Sequence, residues 1–445
     1  MNISVVGTGY VGLVSGVCLA EKGHMIACVD LDAAKVAKIN QGIPPIYEKG
    51  LEELLQRNAG RSLTATTDLR TAVMESEVSL IAVGTPFDGS AIDLKYIREV
   101  ARQIGEVLRD KQSYHLVVVK STVIPGTTDD VVRPILEEAS GKQAGTHFGV
   151  CMNPEFLREG EAIQDFMYPD RIVLGGIDER SNDKLGEMYS VFPDVDKLRT
   201  SCKTAEMIKY SANSLLATMI SFSNEIGNLC AALGGIDVVD VMHGVRLDKR
   251  LMPIMPDGTR VTPSFTTYLE AGCGFGGSCF PKDVKALIAH GRAAGRPMDL
   301  LEAVIQVNQQ QPSQVLGLLR KHFASFAGLQ VAVLGLAFKP GTDDVRESPA
   351  IPVVNALLAE GAVVSAYDPI ATHEARKLFG DTGITYHKEL SDALAGVQAV
   401  VILTRWDELR RLPGMLVELE PQPLLVDGRR MLDRQSVARY EGIGL

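Results

Sequence analysis

Short apolar runs alternate with amphipathic stretches along most of the chain, the pattern expected when strands and helices take turns. Residues 3–6, 25–29, 78–83 and 116–119 are nearly uninterrupted apolar runs, as in parallel strands buried on both faces, and a further strand ends at Asn153-Pro154-Glu155. A helical pattern over 13–22 follows the first run. Between about 204 and 233 the period becomes that of one long helix, with Met207, Ile208, Leu215, Leu216, Met219 and Ile220 at helical spacing, no proline, and glycine only at Gly227. Beyond Pro312 the alternation returns: strands at 329–334, 363–367, 397–403 and 424–426, and a helix at 350–360. The pattern predicts an α/β chain of two doubly wound domains joined by a long central helix. Its segments are 1–200, 201–311 with the helix and a cysteine loop, and 312–445.

The turn after the first strand reads Gly7-Thr8-Gly9-Tyr10-Val11-Gly12. In a strand-turn-helix context, Gly7 permits the tight turn, Gly9 lets a pyrophosphate approach the backbone, and Gly12 lets helix and strand pack closely. The second strand ends at Asp30, placed to bind an adenosine ribose. Its carboxylate would repel a 2′-phosphate, so NAD is the expected cofactor; Lys35 is the nearest cation. Other strand ends carry Thr85, Thr122 and Glu155, and ligands of open parallel sheets lie beyond such ends. Each threonine alone also fits a turn or cap.

The second candidate centre is Gly276-Gly277-Ser278-Cys279-Phe280-Pro281-Lys282-Asp283. Pro281 suits the first helical position, and a helix N-terminus together with Lys282 would stabilise a Cys279 thiolate. A small buried core residue is the other reading of this cysteine. On the long helix Lys209 and Asn213 lie four apart on one face, and Asn224 falls three turns beyond Asn213 on nearly the same face, as substrate ligands or as a solvated stripe. In the last segment Lys339 and Arg346 bring positive charge to the crevice corresponding to the first, suited to a nucleotide diphosphate; an interdomain salt bridge is the other reading of Arg346.

Composition narrows the partners. The 445 residues carry a net charge of -10 and no basic run, which argues against nucleic acid, and no stretch has the length to span a bilayer. Seven cysteines without a Cys-x-x-Cys fit a reducing compartment, so a cytoplasmic protein is expected, and the eight histidines form no metal-ligand spacing, so no metal is.

Taken in order, Gly7 to Gly12, Ser121-Thr122, Asn153 to Gly160, Lys209 with Asn213, Gly276 to Asp283, and Lys339 to Arg346 resemble the UDP-glucose/GDP-mannose 6-dehydrogenases over nearly the whole chain. The resemblance implies two Rossmann-like domains, a helical dimerisation region giving a homodimer or higher homo-oligomer, and oxidation of a sugar C6 alcohol twice to a carboxylate with two NAD. It implies Cys279 as the nucleophile that forms a thiohemiacetal and then a thioester. Lys209 and Asn213 stabilise the alkoxide, Asp283 orients water, and Glu155, or else Glu159, activates the hydrolytic water with Thr122 nearby. By the same resemblance Val11, Asp30, Lys35, Thr85, Thr122, Glu159, Lys282 and Arg346 join the glycines in binding NAD. Glu155, Phe156, Leu157, Arg158, Glu159, Lys209, Asn213, Asn224, Tyr268, Leu269, Glu270, Ala271, Gly272, Gly276 and Lys339 contact the nucleotide sugar. Residues 168–173 and 274–281 look like the UDP-glucose branch, whereas 122–127 and 140–145 are similar to the GDP-mannose branch; UDP-glucose is the expected substrate and GDP-mannose the alternative. One departure is the segment Asp248-Lys249-Arg250, followed here by the longer stretch 251–263, which puts contact of Arg250 with substrate in doubt. A one-step hydroxyacid dehydrogenase needs neither Cys279 nor a second nucleotide domain, and a module that merely senses NAD would not keep Cys279, Lys209, Asn213 and Asp283 together.

Overall fold

The computed structural model describes residues 1–445, which divide into two compact units, Met1–Ala212 and Asn213–Leu445. The first holds eight strands: β1 (Asn2–Val6), β2 (Met25–Val29), β3 (Leu63–Thr66), β4 (Val78–Ile81), β5 (His115–Val119), β6 (Phe148–Met152), β7 (Arg171–Gly176) and β8 (Asp196–Thr200). Their order in the sheet is β3-β2-β1-β4-β5-β6-β7-β8, parallel except for the β6–β7 pair. The order reverses between β1 and β4, which makes the carboxyl ends of those strands a crevice. Alternate residues of one strand enter opposite cores. Leu116 and Val118 pack on one face with Val5, Leu13 and Leu80, while Val117 and Val119 pack on the other with Ile81, Ile97 and Ile104. Burial on both faces is why these strands read as continuous apolar runs.

The second unit holds β9 (Gln330–Leu334), β10 (Val363–Tyr367), β11 (Ile384–His387), β12 (Ala399–Ile402), β13 (Leu424–Asp427) and β14 (Tyr440–Gly442). These form an all-parallel sheet in the order β11-β10-β9-β12-β13-β14, reversing between β9 and β12. The double-faced burial recurs: Val331 and Val333 belong to one core, Ala332 and Leu334 to the other. Two doubly wound sheets are therefore present, as the alternation predicts.

The long helix is Cys202–Leu233, starting two residues before the expected 204. Pro312 does not mark an element boundary, because the helix Asp299–Arg320 runs through it. The carbonyl that the proline leaves without a helical donor is that of Asn308, one turn earlier. The side chain of Asn308 clamps Phe275, accepting from its N–H at 2.8 Å and donating to its carbonyl at 2.9 Å. No helix is long and apolar enough to cross a membrane.

Candidate active site

At the β1 carboxyl end, Gly7 takes φ +99, where a side chain is strained, and a Cβ there would lie 2.7 Å from the Ala82 carbonyl oxygen. A Cβ on Gly12 would run into the Gly7 carbonyl oxygen. Gly9 differs: a Cβ there meets no protein atom within 4 Å. The space above the start of the helix Tyr10–Glu21 is therefore open, as the approach of a pyrophosphate to the backbone needs. Asp30 closes the crevice. Its Oδ2 accepts from the Thr8 amide at 2.9 Å and the Thr8 hydroxyl at 2.5 Å, and its Oδ1 from the Asp32 amide at 3.0 Å. Burial pushes this carboxyl up, but those donors outweigh it and hold the acid below its ordinary value. An ionised acid beside a glycine opening fits the adenosine half of NAD. Lys35 lies in the first turn of the helix Ala33–Asn40, its amide bound to the Asp32 cap. The Thr85 hydroxyl donates to the Thr122 carbonyl at 2.8 Å, joining two strand ends.

Glu155 and Lys209 form a buried ion pair at 2.9 Å, with side chains 6% and 4% exposed. The Leu157 amide donates to the second Glu155 oxygen at 2.7 Å. Burial raises the Glu155 carboxyl, and the charge and hydrogen bond of Lys209, with the Leu157 amide and Lys120, override it, so the acid is held below its ordinary value. Lys120, absent from the expected set, is fully buried and donates to Asn153 Oδ1 at 2.8 Å; burial lowers its ammonium to about 8. Two cations approach Phe156, the Arg171 guanidinium 3.8 Å and the Lys209 ammonium 5.6 Å from its ring centre. Arg158 is committed to the scaffold through Asp165 at 2.6 Å and Glu161 at 2.7 Å. Glu48, also unforeseen, accepts from the amides of Gly160 at 2.6 Å and Ala162 at 2.9 Å and from the Tyr10 hydroxyl, tying the turn after Glu159 to the start of the glycine-led helix.

In the second unit Cys279 caps the helix Phe280–Ala293, with Pro281 in the first turn. The other six cysteines are buried, and burial pushes the thiols of Cys18 and Cys28 up to about 12. The Ser278 hydroxyl lies 3.7 Å from the Cys279 sulfur. Lys282, expected to steady the thiolate, pairs with Asp283 at 2.6 Å, and Asn213 Nδ2 donates to the other Asp283 oxygen at 2.7 Å. Asp283 is buried, so the carboxylate ties the cysteine helix to the long helix. The glycine pair has a packing cause: a Cβ on Gly276 would strike the Glu347 carbonyl oxygen, and one on Gly277 would lie 2.7 Å from the Phe338 ring.

Asn224 is fully buried, and its Oδ1 accepts from the Gly272 amide at 2.8 Å, fixing the end of the 268–272 stretch. Leu269 and Ala271 are buried, Tyr268 stands 6.3 Å from Phe280 between ring centres, and Glu270 pairs with Arg246 at 2.9 Å and with Arg405. The Lys339 ammonium lies 5.8 Å from the Phe338 ring centre. Arg346 binds Asp344 through Nε and Nη2, each at 2.8 Å, a pair within its own loop. Arg250 grips Asp248 and its side chain is 85% exposed. Arg429, another residue the motifs did not single out, is half-buried and donates to the carbonyls of Gly274 at 2.8 Å and Leu403 at 2.7 Å.

Residues 1–193 match the NAD binding domain of the UDP-glucose/GDP-mannose dehydrogenase family, 203–310 its central domain, and 332–434 its UDP binding domain. The chain belongs to this family. Its members are NAD-dependent nucleotide-sugar dehydrogenases, and this chain is accordingly an oxidoreductase that uses NAD. The chain is 43% identical to a UDP-glucose 6-dehydrogenase of Haloferax volcanii, with all of both chains covered. A GDP-mannose 6-dehydrogenase of Pseudomonas putida is 39% identical, again with all of both chains covered. A solved UDP-glucose dehydrogenase of Pyrobaculum islandicum superimposes with a TM-score of 0.89 at 40% identity, covering 99% of this chain and 97% of that one.

Proposed function

We propose that the chain is a UDP-glucose 6-dehydrogenase, converting UDP-glucose to UDP-glucuronate in two oxidations. The reading rests above all on Cys279, the one cysteine of seven that is not buried, standing at a helix start. The relatives named for UDP-glucose, at 43% and 40% identity, support this substrate over GDP-mannose.

When bound, NAD accepts the hydride of each oxidation. The opening at Gly9 and the helix start behind it hold the pyrophosphate, and the ionised Asp30 takes the ribose hydroxyls. Val11, Lys35, Thr85, Thr122, Glu159, Lys282 and Arg346 complete the cofactor contacts. On the substrate, the Lys209 ammonium and the Asn213 amide stabilise the oxygen at C6 as its proton passes to a water that Asp283 orients. The Cys279 thiolate then adds to the aldehyde carbon, and loss of a second hydride from that thiohemiacetal leaves a thioester on sulfur. Water cleaves the thioester, giving up its proton to Glu155 and releasing the acid and the thiol. The lowered pKa of Glu155 matters here, because a proton acceptor must begin ionised. Asp283 positions Asn213 and Lys282, and Asn224 positions Gly272.

The homo-oligomer is read from the long helix, on which Leu215, Phe222 and Leu229 recur every seventh residue with 62%, 46% and 54% of their surface exposed. Such a stripe suits a second copy of the same helix. We further read 1–200, 201–311 and 312–445 as the cofactor, central and sugar-nucleotide segments of a cytoplasmic enzyme.

Counting NADH tests the reaction. Two NADH per UDP-glucose are expected, and Cys279→Ala should abolish acid formation. One NADH per sugar, or an alanine variant that forms acid at the ordinary rate, refutes the covalent route; faster turnover of GDP-mannose refutes the substrate.

A further inference from the structure

Next to the 268–272 stretch, the second unit has a cavity of about 220 Å³ whose wall carries four guanidinium groups, Arg246, Arg405, Arg410 and Arg430, over an apolar floor that includes Met242 and Met431. One lining carboxylate, Glu270, faces them, and it is shared between Arg246 at 2.9 Å and Arg405. Arg430 is fixed from behind by Asp237 at 2.7 Å, with 5% of its side chain exposed, and its Nε is buried with no acceptor. Arg410 reaches Asp407 at 3.4 Å on the outer side.

Converging like charges repel. An anion relieves this repulsion, and planar guanidinium forks suit the tetrahedral oxygens of a phosphate. We propose that this cavity is a second anion site that takes a phosphate group, and that its occupant competes with Glu270 for Arg246 and Arg405. The phosphate comes either from the free ion or from a mononucleotide whose base lies on the methionine floor. Because Glu270 belongs to the stretch read above as binding the sugar nucleotide, occupancy shifts the KM for UDP-glucose. That consequence rests on the proposed function; the binding itself does not.

Calorimetric titration of the full-length protein with inorganic phosphate, and separately with uridine 5′-monophosphate, tests the site, each with and without saturating UDP-glucose. Phosphate should bind once per chain in both conditions. Its Kd should rise at least tenfold in R410A and in R246Q, changes at the rim that spare the buried Arg430. Lys339→Ala, a change at a residue read as substrate-binding, should leave phosphate binding intact. Tighter binding of the nucleotide than of phosphate under saturating UDP-glucose supports the site with a nucleotide occupant, and equal binding supports it with the free ion. Absence of phosphate binding, displacement of phosphate by UDP-glucose, or unchanged Kd values in R410A and R246Q overturns the proposal. If phosphate binds as expected while UDP-glucose is not oxidised, the proposed function alone falls.

Discussion

Glu155 and Lys209 each replace the water that burial takes from the other. Stripping an ion of water costs several kcal/mol, so the two are tolerable together and costly apart. Lys209→Met should lower stability by roughly 3–5 kcal/mol, the usual penalty for stranding a buried charge, and adding Glu155→Gln should restore most of it without restoring activity. Urea denaturation of the single and double variants checks this; a single variant as stable as the parent would mean the pair is not buried in solution. Since the Glu155 acid is held below its ordinary value, its contribution is present above the unfolded value and fades as pH falls through the folded one. The residues legible in the sequence were those whose reason is local. Gly7, Gly12, Asp30, Cys279 and Asp283 sit in short motifs whose backbone demands show in neighbouring letters. Lys120, Glu48, Asn308 and Arg429 escaped because their partners are remote: Glu48 serves a turn 112 residues on, and Arg429 a carbonyl 155 residues back.

Among the elements, the long helix does more than carry substrate groups. Near its start the buried Glu206 accepts from the Gly126 amide at 2.6 Å, the Thr128 amide at 2.8 Å and the Thr128 hydroxyl at 2.7 Å, holding the beginning of the wide-turned helix Thr127–Val132. Burial pushes the Glu206 acid up to about 7 against the pull of those three donors. An acid raised on folding favours the folded state at low pH and loses that advantage as pH climbs. Between about pH 4.5 and 7 the unfolding free energy should therefore fall, by up to about 3 kcal/mol from this group. Glu206→Gln should remove that slope and cost about 1–3 kcal/mol, because its amide turns a donor toward the Gly126 N–H; melting curves across this pH range decide it. The strands found in advance were apolar on both faces. The edge strands β3 and β8 were not, since Leu-Thr-Ala-Thr and Asp-Lys-Leu-Arg-Thr expose alternate or most residues and look like loop. Pro312 misled for the opposite reason: proline usually ends a helix, and here Asn308 gives the interrupted turn another task.

For the molecule as a whole, the alternation of elements and the double-faced strands were enough to predict two wound sheets, because that pattern follows from burial alone. The partner of the Leu215, Phe222 and Leu229 stripe is another matter. Replacing Phe222 and Leu229 with glutamate should convert a dimer to monomers in sedimentation velocity runs while leaving the far-ultraviolet circular dichroism unchanged. An unchanged sedimentation coefficient would place the dimer contact elsewhere or remove it.

Of the seven cysteines, six are sealed from water and one stands at a helix start. To an alkylating reagent the folded chain is thus a protein of a single thiol, and unfolding multiplies its reactive sulfurs sevenfold. The same partition that prepares one sulfur for chemistry makes the count of modified cysteines a gauge of how much of the population remains folded.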